Sequence, residues 1–365
     1  MAVRVYFNQW FSSISTVIED LKKRWGESIY IIGSSLNKNH AYKEVCDEFV
    51  VEKDFSSLSD AEARENCYIE LMLNICTEHN VDVFFVRKNA KLIAKNRKIF
   101  ENFGIKLVLE NLDLMELLDS KSMTYEALQN DFSEYIPNFI NTRGLPGDLT
   151  KNTLYDIVHK SGCDGEPLWC FKLDSDEGGC SYRLIEADSD INFSSLKKCR
   201  FNKMTKSEAI DLINNCSAEE LNQLIFMEQL KSPEISVDCY NSAKGFIAIC
   251  REKIENTRHE RMYVNKTITD VCRRISNTLG IQHIFNVQFM LDSAASDSAL
   301  FKNMRLLEIN ARMSGGTYYQ TLLGLNLADI ELHDIIGDTN YDIDNYLKFE
   351  ESTVTHVEQA IKLEK

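Results

Sequence analysis

The chain has 365 residues, enough for two or three domains and too many for a single core. Its 44% hydrophobic and 27% charged content suits a soluble globular protein, and no run of 18 apolar residues offers a membrane span. With 56 acidic against 41 basic residues the net charge is −15, which excludes a broad nucleic-acid-binding surface but not a small anion held by a few local cations. The eleven cysteines form no CxxC pair, and no signal-peptide pattern occupies Met1–Trp25, so they are expected to be reduced thiols in a cytoplasmic protein. Cys170, Cys239 and Cys250 fall in apolar runs and read as small core residues. The seven histidines show no zinc-ligand spacing, and neither a solenoid repeat nor a long linker is visible.

Residues 1–115 alternate strand and helix. Val3–Phe7, Ser28–Gly33 and Val81–Val86 are β-rich, and the spacing predicts helices over Ile14–Trp25, Asp60–His79 and Ala90–Phe103. Such alternation predicts a Rossmann-like α/β domain with a parallel sheet and crossover helices. No G-x-G-x-x-G follows the first strand, where Phe7-Asn-Gln-Trp10 stands, so a dinucleotide fingerprint is missing. From Leu114 to Phe132 the pattern turns helical and includes Lys121. A hairpin is predicted from Trp169–Leu173 and Ser181–Ile185, joined by the turn at Asp176–Gly179. Thr205 and Glu208 have the spacing of a capping box ahead of an apolar helix over Ala209–Ile213. Strands follow at Leu224–Glu228, Glu234–Cys239 and Gly245–Cys250, then a helix over Thr267–Leu279. The domains are placed at 1–115 (α/β), 116–200 (a small lid subdomain) and 201–365 (a larger α+β part).

The C-terminal strands carry the most chemistry. In Ile284–Leu291, Phe285, Val287 and Phe289 share one face, leaving Asn286 and Gln288 on the other. In Arg305–Gly316, Leu307 and Ile309 face the core while Glu308 and Asn310 emerge together opposite them. Paired as antiparallel neighbours, the two strands would converge Gln288, Glu308 and Asn310, an all-oxygen donor set suited to Mg²⁺, with Mn²⁺ as the alternative. Arg312 follows where a fixed cation meets a phosphoryl oxygen. The plainer reading is two half-buried strands with ordinary polar faces.

Upstream, Lys172 interrupts an apolar strand, and Gly178, Gly179 and Ser181 follow; this is a phosphate-cradling turn or an ordinary hairpin tip. Arg251, Lys253, Arg258 and Arg261 form a basic run that reads as a solvated face or as a clamp for an anionic substrate. Cys180 has no partner base in view and reads as structural.

These segments resemble the ATP-grasp superfamily, in which an Asn-x-Gln strand is followed by a Glu-x-Asn-x-Arg strand that carries the metals. The resemblance covers roughly residues 1–340 and implies a pre-ATP-grasp domain followed by a two-part ATP-grasp fold. It implies nucleotide lysines at Lys121 and Lys172, and adenine contacts at Glu228 and Leu230 between lid and large domain. Ribose contacts fall on Glu234, metal ligands on Gln288, Glu308 and Asn310, and stabilisation of the transferred phosphoryl on Arg312. Ser314, Gly315 and Gly316 then lie on the substrate side, with Arg251 and Arg258 as further substrate contacts. The glycine loop departs from the family pattern, because Asp174, Asp176 and Glu177 bring acid to where phosphates should lie. The resemblance is closest to the carbamoyl-phosphate-synthetase-like branch, with Gln288 where many relatives place an acid. It extends to stand-alone proteins of bacterial biosynthetic clusters, including those linked to tellurite-resistance operons. The activity implied is an ADP-forming ligase that joins a small-molecule carboxylate to an amine or thiol through an acyl phosphate, with ATP and Mg²⁺, no nucleic-acid or membrane partner, and homo-oligomerisation left open. A bicarbonate-activating enzyme and a non-catalytic ATP-binding protein stand as alternatives. Against the first, the sequence has no second synthetase half and no biotin-bearing segment.

Overall fold

The computed structural model describes residues 2–144, 146–163, 165–176, 179–188, 202–292, 303–341, 343, 348 and 350–357. It forms two compact units, each discontinuous in sequence. One comprises Met1–Glu116, Ser236–Val287 and Asn310–Lys365; the other comprises Leu117–Ile235 and Gln288–Ile309.

The first unit opens with β1 (Val3–Asn8), α1 (Ile14–Trp25), β2 (Ile29–Ser35), β3 (Glu48–Val51), α2 (Ala61–Glu78), β4 (Val83–Phe85), α3 (Ala90–Lys95), α4 (Arg97–Glu101) and β5 (Lys106–Val108). The strands make a five-stranded parallel sheet in the order β3-β2-β1-β4-β5. A parallel sheet must be covered on both faces, and this one is. Val5, Phe7, Ile31, Val83 and Phe85 pack with Ile14, Val17, Ile18 and Leu21 of α1. On the other face Tyr6, Ile32 and Phe84 pack with Tyr68, Ile69 and Met72 of α2. The single helix expected over Ala90–Phe103 is broken at Asn96, whose side chain donates to Leu92 O (2.9 Å) and competes with the backbone ladder.

The second unit follows α5 (Leu112–Asp119) with α6 (Lys121–Phe132), β6 (Phe139–Asn141), α7 (Gly147–Lys160), β7 (Trp169–Leu173), β8 (Arg183–Glu186), β9 (Lys203–Thr205), α8 (Lys206–Asn215), α9 (Ala218–Leu221) and β10 (Leu224–Glu228). The helical stretch from Leu114 to Phe132 is thus two helices, divided at Ser120, which caps α6. The expected hairpin is present as antiparallel β7 and β8, and the capping box of Thr205 and Glu208 starts α8. The sheet runs β6-β10-β7-β8-β9. One face stacks Phe171 on Phe226 beneath Leu154, Val158, Ala209 and Ile213. The other carries Cys170, Leu184 and Met227.

A third sheet is ordered β15-β14-β11-β12-β13-β16. Its strands are β11 (Lys231–Ser242), β12 (Gly245–Lys253), β13 (His259–Tyr263), β14 (Phe285–Leu291), β15 (Met304–Asn310) and β16 (Ser352–Thr355). Helix α10 (Lys266–Leu279) precedes β14, and α11 (Tyr319–Leu322) and α12 (Leu327–Ile336) follow β15. The strands β11, β14 and β15 each contribute residues to both units. Among the described residues no helix is long and apolar enough to cross a membrane.

Candidate functional site

The start of α6 is fixed by the end of β7. Ser120 accepts the Met123 N–H (3.2 Å), and Asp174 accepts the Ser122 N–H (2.8 Å), the Ser122 hydroxyl (2.8 Å) and the Ser120 hydroxyl. Arg143 closes the cluster at 3.0 Å from Asp174. Held in this frame, Lys121 is only 5% exposed; its Nζ donates to Asp176 O (2.8 Å) and lies 3.5 Å from Glu308 Oε2. Lys172, also buried, sits on β7 on the face of Cys170. Burial, reinforced by the neighbouring Lys121, pushes its pKa down to about 8, with Glu308, Cys170 and Asp176 acting in the opposite sense.

Two of the three acids that made the loop look hostile to phosphate are already committed. Asp174 is taken by two serines and Arg143. The Asp176 carboxylate accepts the Ser181 N–H (2.8 Å) and the Ser181 hydroxyl, which itself accepts the Leu173 N–H (2.9 Å). What burial Asp176 has works to raise its pKa, but the Ser181 hydrogen bonds win and hold the carboxyl below its ordinary value. Gly179 is exposed in the left-handed region (φ +65°), which glycine adopts without strain. Gly178 and Glu177 lie outside the described residues.

β14 and β15 are neighbours, as expected. On β15, however, the buried side chains include Met304 and Leu306, on the Glu308 side of the alternation, as well as Ile309. Leu307 is only partly buried and packs against Cys170, Leu184 and Met227, while its carbonyl accepts the Tyr125 hydroxyl (2.7 Å). Gln288, Glu308 and Asn310 are all half-buried. Leu230 packs on the same Cys170–Met227 cluster, and the Glu228 N–H donates to Asn138 O (3.0 Å). Glu228 and Glu234 are half-buried, at the end of β10 and near the start of β11. The second unit therefore gathers Lys121, Lys172 and Glu308, and sets Lys172 on the sheet face that also carries the apolar Cys170–Met227 cluster.

In the first unit Arg312 follows Asn310; its N–H donates to Asn310 O (2.8 Å) and its Nη1 to Met313 O (3.2 Å). The basic run does not form one cluster. Arg251 is buried, pairing with Asp238 (2.8 Å) and Glu260 (2.8 Å) and donating to Ser236 and Ser314. Burial opposes its charge, yet Asp238 and Glu260 outweigh it and leave the pKa raised. Arg261 pairs with Glu252 and Glu351, and Arg258 is exposed. Asn286 does not stand as an open polar face beside Gln288: it is fully buried against Ser236 and Asp238. Asp238 escaped the sequence reading, which also placed Asp174 only as an acid near the phosphates and missed it as the acceptor that fixes α6. The only signal was an acid in or beside an apolar strand, in Ile235-Ser-Val-Asp-Cys239 and at the end of β7.

Residues 220–360 match the model of a family described as ATP-grasp in the biosynthetic pathway with Ter operon. Solved structures of similar fold include the biotin carboxylase domain of the Hydrogenobacter thermophilus 2-oxoglutarate carboxylase, in complex with MgADP, ADP and bicarbonate. Its TM-score is 0.62 at 14% identity, over 94% of this chain and 72% of that one. Biotin carboxylase from Campylobacter jejuni gives the same TM-score and identity, over 93% and 72%. N5-carboxyaminoimidazole synthetase from Staphylococcus aureus, complexed with ADP, gives 0.59 at 13%, over 94% and 80%. At these identities the likeness is one of fold. No curated protein matches the chain in sequence. Over residues 220–360 the chain thus resembles the Ter-operon-linked ATP-grasp family, and its fold is that of the carboxylase and synthetase structures above.

Proposed function

We propose that this chain is an ADP-forming ligase that activates a small-molecule carboxylate as an acyl phosphate and passes the acyl group to an amine or thiol. The observation that carries the reading is the convergence of two buried lysines, Lys121 and Lys172, on the β15 carboxylate of Glu308. Desolvated cations beside a carboxylate are what a polyphosphate with a hard divalent ion requires. The apolar bed of Cys170, Leu184, Met227 and Leu230 suits a purine ring, with Glu228 and the adjoining backbone on its amine and Glu234 on the ribose. Ser181 and Gly179 border the phosphates.

The donor chemistry of Gln288 and Glu308, with Asn310 two residues further along β15, fits Mg²⁺ or Mn²⁺. When bound, such an ion would neutralise charge on the β- and γ-phosphates. Lys121 and Lys172 hold and orient those phosphates. The substrate carboxylate oxygen attacks the γ-phosphorus as the bond to the ADP oxygen breaks, with Arg312 supplying positive charge to the transferred group. The amine nitrogen then attacks the acyl carbon, phosphate leaves with the C–O bond electrons, and the nitrogen gives up its proton. No enzyme nucleophile takes part; placement and charge neutralisation account for the rate.

The test is ADP release from MgATP against a panel of amino acids and small acids, with hydroxylamine as acceptor. Carboxylate-dependent ADP and a trapped hydroxamate support the reading. AMP and pyrophosphate would sink it. ADP release with bicarbonate alone would replace it with bicarbonate activation, and binding of ATP without turnover on any acid would leave a nucleotide-binding protein.

A further inference from the structure

We infer that Asp238 and Arg251 are positioning residues that fix the chain segment following Asn310 and Arg312. The inference rests on the proposed ligase reaction for its kinetic readout alone. Asp238, on β11, is wholly buried and accepts five donors. Its Oδ1 receives Asn286 Nδ2 (2.8 Å), Ser314 Oγ (2.9 Å) and Thr317 Oγ1 (3.2 Å); its Oδ2 receives Arg251 Nε (2.8 Å) and Gln320 Nε2 (2.8 Å). Two of the five donors, Ser314 and Thr317, belong to the turn that leaves Arg312, a third, Gln320, to α11 just after it, and a fourth, Asn286, stands two residues before Gln288 on β14. One carboxylate thus holds, by side chains, both chain segments on which the proposed metal and phosphoryl contacts depend.

Arg251 backs this carboxylate. Its guanidinium makes four hydrogen bonds, to Asp238, Glu260 (2.8 Å), Ser236 (2.9 Å) and Ser314 (2.8 Å). The Gly316 backbone lies directly against it: a Cβ there would stand 2.2 Å from Arg251 Nη1 and 2.6 Å from Cζ. With no space for a methyl group between them, the guanidinium and the turn are in direct contact. Arg251 therefore acts through the turn rather than as an anion clamp. The backbone of Gly316 is not in the left-handed region, so Arg251 is the obstacle to a side chain at this position.

The experiment uses the full chain with Asp238→Asn and Gly316→Ala, reading amide hydrogen exchange over residues 311–318 and steady-state kinetics with MgATP, the panel of amino acids and small acids, and hydroxylamine as acceptor. Both variants are expected to speed exchange in that segment about tenfold, while α7 keeps wild-type protection. They should lower kcat about 100-fold with the KM for ATP within about threefold, the split expected when nucleotide lysines stay in place and the segment after them shifts. Wild-type exchange over 311–318 in both variants overturns the inference, as does faster exchange with unchanged kcat per folded molecule, which marks a merely structural hub. If Asp238→Asn does not fold, Gly316→Ala decides by the same criteria. If the wild-type protein turns over no ATP, the ligase reading fails, and the exchange measurement still settles whether Asp238 and Arg251 hold the turn.

Discussion

The Lys121 ammonium lies 3.5 Å from the Glu308 carboxylate, joining the first residue of α6 to β15. Neither charge sits alone in its desolvated setting, because each is the other's counter-ion until ligand arrives. On the proposed function the exchange is simple: Glu308 turns to the divalent ion, and Lys121 to a phosphate oxygen. The pair is arranged to be broken, so its main worth lies in binding rather than in stability.

Glu308→Gln keeps the shape and removes the anionic ligand. ATP turnover is expected to fall at least ~100-fold, equivalent to ~3 kcal/mol of transition-state stabilisation, with the circular dichroism spectrum unchanged. Asn310→Ala should do the same. Wild-type turnover by Glu308→Gln at ordinary Mg²⁺ would remove the metal assignment.

Lys172 makes nucleotide affinity depend on pH. Its folded pKa is about 8, against ~10.4 unfolded, so between these values the unfolded chain binds more protons and stability rises with pH. Below pH 8 the cost of burying the charge is fully present. Phosphate binding demands the ammonium, so affinity should be flat below ~pH 7.5 and weaken by up to ~10-fold per pH unit above 8. Calorimetry in buffers of different ionisation enthalpy would read the accompanying proton uptake, and Lys172→Arg should flatten the profile. An affinity independent of pH from 7 to 9.5 would contradict this.

Asp174→Ala leaves Ser120, Ser122 and Arg143 without their common acceptor. Urea unfolding should show a loss of ~2–3 kcal/mol, because buried donors go unpaired. Nucleotide binding should weaken as well, since the same carboxylate fixes the residue from which Lys121 projects.

His283 lies between Glu331 (2.7 Å to its Nδ1) and Glu110, which accepts the His283 backbone N–H at 2.7 Å. Burial works against its charge, but Glu331 and Glu110 prevail and raise its pKa. Its contribution to stability is therefore complete below ~pH 6.5 and fades as pH rises through the folded value. His283→Gln should cost more stability at pH 6 than at pH 9, measured by chemical denaturation; an equal cost at both would show that the imidazolium contributes nothing.

Periodic and local signals are legible in the amino-acid order itself. The α/β alternation points to the parallel sheet, and the capping box places the start of α8 to the residue. Lys172 stands out because a charge interrupts an apolar pattern, whereas Lys121, between Ser120 and Ser122, is marked only by the resemblance to the ATP-grasp superfamily. Long-range polar pairing is not legible in this way. Asp174 reads as an acid in a loop until Ser120, 54 residues earlier, is seen to donate to it. Arg251 reads as one of four surface cations until Asp238 and Glu260 enclose it. Partners far apart in sequence leave no periodicity, so patterning cannot assign which cations are already neutralised.

The Tyr125 hydroxyl reaches Leu307 O across 182 residues, and Lys121 finds Glu308 over a similar span. On a ribosome, α6 and the whole β6–β10 sheet emerge before β15 has been made, and at ~5–20 residues per second this leaves the nascent unit waiting for seconds. During that interval the Cys170–Met227 bed lacks the Leu307 side chain that packs on it. Lys121 likewise lacks its carboxylate. A chain released before Met304 thus carries both lysines but neither their counter-charge nor the strand that closes their unit, so premature termination there yields an apolar, cationic surface for chaperones to shield rather than a weakened enzyme.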